Sequence, residues 1–190
     1  MRHRLWIFLS LFVVLLSGCG NDTKKNTSND TDIQKKHENN TLTLRFIDSN
    51  ETVTLQKSAA GLALKESPSR LLLVDLFATW CPPCKAEVPV LSGLQRKFPN
   101  KLLVLGVSIE ENIDPKQLLQ FKQEHKATYK IVSPTSANEL IESVIRHTGM
   151  GKRFAIPLLA LYKDGKLIRY YTGATEEEFL LSDIKQALGK

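Results

Sequence analysis

Cysteine is scarce in this chain: three in 190 residues, at positions 19, 81 and 84. Histidine is nearly as rare, and His37, His125 and His147 stand at no ligand-like spacing to one another. A structural zinc site needs four ligands, so the chain is poorly supplied for one. Long hydrophobic runs are also missing. The longest, Leu5 to Leu16, falls short of the roughly 20 apolar residues that a spanning helix needs. Charge of one sign is in mild excess only, at a formal +6. The lysines are scattered, with no stripe of aromatic and basic residues, which speaks against a nucleic-acid partner. No cofactor motif and no internal repeat is seen.

What is present begins at the N-terminus. Arg2, His3 and Arg4 precede the apolar run, and Leu16-Ser17-Gly18-Cys19 ends it with small residues. This is the pattern of an export signal, since a buried core helix needs neither a basic flank nor a Ser-Gly-Cys ending. Leu-Ser-Gly-Cys resembles the bacterial lipobox, which implies cleavage before Cys19 and acylation of that cysteine. Cys19 is then a lipid anchor, and only Cys81 and Cys84 remain for chemistry. Loss of residues 1–18 removes Arg2 and Arg4 and lowers the formal charge by two. Residues 19–40 hold one large aliphatic residue, Ile33, too little to offset the entropy of ordering. As a flexible coil of about 20 residues they would hold a domain roughly 25 Å from a membrane. The remaining residues, 41–190, suit one domain with a real core.

Along that domain, Leu42 to Phe46 and Thr52 to Leu55 alternate around Asp48-Ser49-Asn50, which predicts a β-hairpin. Residues 71–77 form an apolar run broken only by Asp75, as in a buried parallel strand. Val88, Leu91, Leu94 and Phe98 recur at helical spacing between Pro83 and Phe98. Leu102 to Ile109 reads as a second buried strand. Asp114-Pro115 starts a helix, Tyr129 to Val132 forms a short strand, and Glu139 to His147 a helix. Leu158 to Tyr162 and Leu167 to Tyr171 flank the turn Asp164-Gly165. Glu176 to Leu188 closes the chain as a helix. Alternating strands and helices predict an α/β fold with a mostly parallel sheet, the last hairpin adding an antiparallel edge.

The sequence Phe77-Ala-Thr-Trp-Cys-Pro-Pro-Cys-Lys-Ala-Glu-Val-Pro89 places two thiols within one turn, at the end of a strand and the start of a helix. Such a pair reads as a redox couple, as half a metal site, or as an inert structural disulfide. So small a loop restricts the unfolded chain little, so stability alone is a poor reason for it. At a helix N-terminus the backbone N–H groups and the macrodipole favour a thiolate. Cys81 is then the exposed attacker and Cys84 the more buried resolving thiol. Pro82 and Pro83 lack N–H groups, leaving chiefly those of Cys84 and Lys85 to Cys81. The expected depression of its pKa is moderate, which gives the couple a reducing bias towards its substrates.

The segment Val74-Asp-Leu-Phe-Ala-Thr-Trp-Cys-Pro-Pro-Cys-Lys-Ala-Glu-Val-Pro89 resembles the active site of thioredoxin-fold proteins, in particular the membrane-tethered TlpA/ResA-like thiol-disulfide oxidoreductases. The resemblance implies a thioredoxin-like fold over residues 41–190: a central mixed sheet flanked by helices, an N-terminal β-hairpin, and an inserted helix-strand unit near 115–133. It implies that Pro157 is cis and packed beside the disulfide, with the Ile156 backbone and Trp80 engaging an extended substrate. Asp75 matches a buried acid that accepts a proton from Cys84, and Glu87 a glutamate that tunes cysteine ionisation. Asp75 and Ile156 stand where many TlpA-like members carry Asn and Thr, and both lean towards a reductase. Plainer readings exist: Trp80 as a packing residue, Glu87 as a solvated helix residue, and Pro89 as a kink. His125 and His147, near helix ends, read as structural. Asp75 is harder to dismiss, because an acid inside an apolar strand needs a partner or a shifted pKa.

The implied partners are a disulfide-containing exported protein, such as apocytochrome c, and a transmembrane thiol-electron carrier as reductant. No cofactor and no metal is expected. The domain would stand outside the cytoplasm, facing the periplasm in a Gram-negative cell. The rival readings are a disulfide oxidase or isomerase on the same fold and a copper-handling protein using both thiols. A peroxiredoxin fits poorly, because its Thr-x-x-Cys is absent.

Overall fold

The computed structural model describes residues 40–151 and 153–190. The signal segment, Cys19 and the tether up to residue 39 lie outside the described residues. Within them, two sheets and four α-helices pack around a shared strand layer.

The first sheet is antiparallel, in the order β1 (Thr41–Arg45), β2 (Thr52–Lys57), β3 (Leu62–Leu64). Period-two alternation sets its register: Leu42 lies opposite Leu55, and Leu55 opposite Leu64, so three buried leucines form one row. The sequence predicts the hairpin but not β3, which is three residues long and forms because β2 offers it a free edge. Gly61 admits β3 to its place. A Cβ there would lie 2.7 Å from the backbone nitrogen of Leu167.

The second sheet runs β6 (Lys130–Ile131), β5 (Leu102–Ser108), β4 (Leu71–Phe77), β7 (Leu158–Lys163), β8 (Lys166–Thr172). β4 pairs in parallel with β5, and β5 with β6, while β7 runs antiparallel to both β4 and β8. The sheet is therefore evenly mixed, not mostly parallel. After α3 (Asn138–Thr148), Gly149 turns the chain at φ 67°, and β7 is entered through the cis Ile156–Pro157 bond and runs in the opposite sense.

α1 (Pro82–Lys97) and α4 (Glu177–Ala187) cover one face of this sheet. There Leu71, Leu73 and Phe77 meet Val88, Leu91, Leu94, Leu180 and Ile184. α2 (Pro115–Glu124) starts at Asp114, which forms a reciprocal capping box with Gln117. Its Leu118 and Phe121 join the same core. On the other face Leu72, Val74 and Leu76 pack with Leu44, Leu55, Leu140 and Val144, from the first sheet and α3. Both histidines expected to be structural are so placed. His125 caps α2 against the Phe121 ring, and His147 joins the Tyr162 hydroxyl (3.3 Å) to the Ser58 carbonyl (3.0 Å).

Candidate active site

The site stands where β4 ends and α1 begins. β4 is buried along all seven residues, and the chain leaves it through Ala78, Thr79 and Trp80. Cys81 then takes extended dihedrals (φ −83°, ψ 112°) as the N-cap of α1, and its sulfur accepts the Cys84 N–H at 3.3 Å. The Lys85 N–H, expected to face that sulfur, bonds instead to the Cys81 carbonyl at 3.1 Å. Pro82 and Pro83 fill the first helical positions, where an N–H would have no intrahelical partner. Beyond them the helix continues past Pro89, which lies on its exposed side.

Cys81 and Cys84 are joined as a disulfide, with Cα atoms 5.3 Å apart. Cys81 is not the exposed thiol that the sequence suggests. The two cysteines are 2% and 3% exposed. Both belong to the buried cluster beneath α1, and the Ile156 carbonyl oxygen lies 3.9 Å from the Cys81 sulfur. Pro157, buried and cis, follows directly. The site therefore brings together the CxxC pair with Ile156 and Pro157, across a sequence gap of more than 70 residues. Trp80 is not a packing residue: at 64% exposed it projects into solvent beside Cys81.

Two buried acids stand on the elements that carry the pair. Asp75 sits on β4, opposite Gly106 of β5 and Leu159 of β7. Glu87 sits on α1, one turn beyond Cys84, and is buried. Neither Glu87 oxygen, nor Oδ1 of Asp75, has a hydrogen-bond partner of good geometry. Burial pushes the Glu87 carboxyl up to about 7, against a smaller opposing pull from the Thr175 backbone. Burial, with the Glu87 charge adding to it, holds Asp75 well above the usual carboxylate range. Glu87 is thus no solvated helix residue.

Sequence reasoning missed two residues here. The ring of Tyr129 covers Gly106, where a Cβ would come within 2.9 Å of it. Burial first, then Asp75 and Glu87, raises the Tyr129 phenol. A glycine inside an apolar strand was the available signal, since it marks a close approach. Glu110 follows β5 and bonds Thr79, a contact no local pattern announces. Among the described residues, no group of three or more His, Cys, Asp or Glu is arranged to hold a metal ion. None of the described helices is long and apolar enough to cross a membrane.

Comparison with known proteins agrees with this geometry. A family model described as Thioredoxin matches residues 51–145. A thioredoxin of Chlamydia pneumoniae is 29% identical over 118 residues, 62% of this chain and 83% of its own length. The fold is similar to that of StoA from Bacillus subtilis (TM-score 0.54, 20% identity, 75% of this chain and 94% of that one). It is also similar to the pneumococcal exposed lipoprotein thioredoxin Etrx1 of Streptococcus pneumoniae (TM-score 0.57, 18% identity, 77% and 98%).

Proposed function

Because the chain belongs to the thioredoxin family and is a thiol-disulfide oxidoreductase, we propose that it reduces disulfides in exported proteins, such as apocytochrome c, outside the cytoplasm. It does so as a TlpA/ResA-like member, held to a membrane by a lipid on Cys19 and the tether 19–40 after loss of the signal 1–18. The likeness to a lipoprotein thioredoxin and the Leu-Ser-Gly-Cys sequence support this placement.

In the reduced form, the Cys81 thiolate attacks one sulfur of a substrate disulfide, and the other substrate sulfur leaves as a thiolate and is protonated. The Cys84 thiol then gives its proton to a nearby carboxylate and attacks the Cys81 sulfur. The second substrate thiol is released and the Cys81–Cys84 disulfide closes. Two electrons have passed from protein to substrate, and a transmembrane thiol-electron carrier must restore them. Substrate would lie extended against Trp80, Ile156 and Pro157. The observation that carries this reading is the Cys81–Cys84 disulfide at the N-cap of α1, with Glu87 buried one turn beyond Cys84 and its carboxyl pushed up to about 7 by burial. Such a group can take a thiol proton at neutral pH, and Asp75 beside it shares the task.

The direction of flow is tested by equilibrating the Cys81–Cys84 couple against glutathione or dithiothreitol buffers, using a soluble form beginning at residue 40. A potential near or below about −250 mV fits a reductase, and one near about −120 mV makes the protein a disulfide-introducing oxidase instead.

A further inference from the structure

Trp80 presents a problem of mechanics. With its side chain mostly in solvent, packing cannot orient it, nor can packing fix the peptide that leads into Cys81. The backbone on either side must do so. On the far side the Cys81 N–H donates to the Ala78 carbonyl at 3.1 Å. On the near side stands Thr79, held by one carboxylate. Its N–H donates to Oε2 of Glu110 at 2.7 Å, and its hydroxyl to Oε1 at 2.9 Å.

Glu110 is itself held. The Ser108 hydroxyl donates to its Oε2 at 3.0 Å, and its own N–H donates to the Ser108 oxygen at 3.2 Å. Just before it, the Ile109 N–H donates to the Phe77 carbonyl at 2.9 Å, so β5 stays registered on β4 up to this point. Two oxygens on one planar group can accept the N–H and O–H of one residue together. Each donor then has an oxygen of its own, and bonds to a carboxylate are stronger than neutral ones.

We propose that Glu110 is a positioning residue that clamps Thr79 with both carboxylate oxygens and so fixes the loop presenting Trp80 and the Cys81 N-cap. The clamp ties the end of β5 to the attacking sulfur through a short path: Glu110 to Thr79, the turn at Ala78, then the N-cap bond from Cys84 to the Cys81 sulfur. Without it, the loop relaxes and the thiolate loses its aligned donor. The proposal rests on the dithiol chemistry assigned above.

The test uses the full chain, reduced, with glutathione disulfide as probe and the second-order rate followed against pH. Glu110→Ala should slow the reaction at least roughly tenfold, as small misplacements of reacting groups do, and should move the pH midpoint for Cys81 upward. Glu110→Gln keeps an oxygen for the Thr79 N–H and an amide N–H for its hydroxyl. It should restore the midpoint and stay within about threefold of the native rate. Thr79→Val removes one arm only and should fall between, which keeps the test available if Glu110→Ala does not fold. Three results would overturn the clamp: Gln behaving like Ala, with both midpoints lowered, which is a charge effect; Ala or Val lowering the melting temperature while rate and midpoint stay native; or Val matching the native protein throughout. A native protein that fails to reduce the probe would overturn the dithiol reading, and the clamp with it.

Discussion

The two faces of β4 differ by one residue along the chain and by almost everything in what they bury. Leu72, Val74 and Leu76 point towards the first sheet and α3, into a cluster that holds no carboxyl and whose one phenol, Tyr162, is bonded to His147. Leu71, Leu73, Asp75 and Phe77 alternate with them and point towards α1 and α4, where the disulfide and Glu87 also lie. Burial is the same on both faces, since no residue of the strand exceeds 3% exposure. The difference lies in tolerance. One face carries no acid, its buried hydroxyl is hydrogen-bonded, and it contributes stability, while the other holds two acids without full hydrogen bonding, each of which disfavours the folded state when charged. A strand buried on both sides can thus carry chemistry on one because the other offsets its cost.

The sharpest way to break this contrast is to move the acid by one residue. Val74 is fully buried between Leu105 and Ala160. Val74→Asp should cost about 4 kcal/mol or more, enough to unfold most of the protein, as a buried carboxyl with no partner does. Denaturant titration measures it. A variant that kept native stability would show that the two faces are alike in tolerance and that Asp75 marks nothing.

The second effect is smaller and depends on pH. The Glu87 carboxyl titrates near 7 in the folded chain, above its ordinary 4.5. The folded state therefore holds this proton more tightly than the unfolded state. Stability from the group is fully present below about pH 4.5, falls as the pH rises to about 7, and is flat above. Glu87→Gln lacks this fall. It should match the native protein near pH 4 and exceed it by about 3 kcal/mol near pH 8. Asp75, raised by burial in the same sense, adds its own decline in both proteins. Urea titrations at the two ends of this range decide the matter, and a gap that does not change with pH would remove Glu87 from the buried acids.

Much of this contrast is legible in the sequence, and the exceptions have physical reasons. Residues 71–77 read as a strand buried on both faces, and Asp75 stands out as the one residue there that needs a cause. The CxxC pair reads as a helix N-cap. Glu87 reads as solvated unless the helical spacing from Cys84 to Leu91 is followed through it, which puts it on the buried stripe. The burial of Cys81 is not legible, because Ile156, which lies against its sulfur, is 75 positions away along the chain. β3 is hidden for a like reason, being too short to show a period and existing only through its pairing with β2. Glu110 and Thr79 are 31 positions apart, and no local pattern joins them.

The smallest effect on stability belongs to the residue that touches neither face. Trp80→Ala removes the largest exposed side chain of the site, and since that side chain is 64% in solvent, its loss should change unfolding free energy by no more than about 0.5 kcal/mol. Its effect should appear instead in KM. An exposed tryptophan beside a reactive sulfur has apolar area to offer a partner, and such residues commonly supply about 1–2 kcal/mol of binding. KM for a protein disulfide should therefore rise roughly five- to thirtyfold while stability stays native. A variant that lost stability but kept its KM would place Trp80 with the packing residues of β4, and the division between chemistry and packing would have to be drawn elsewhere in the loop.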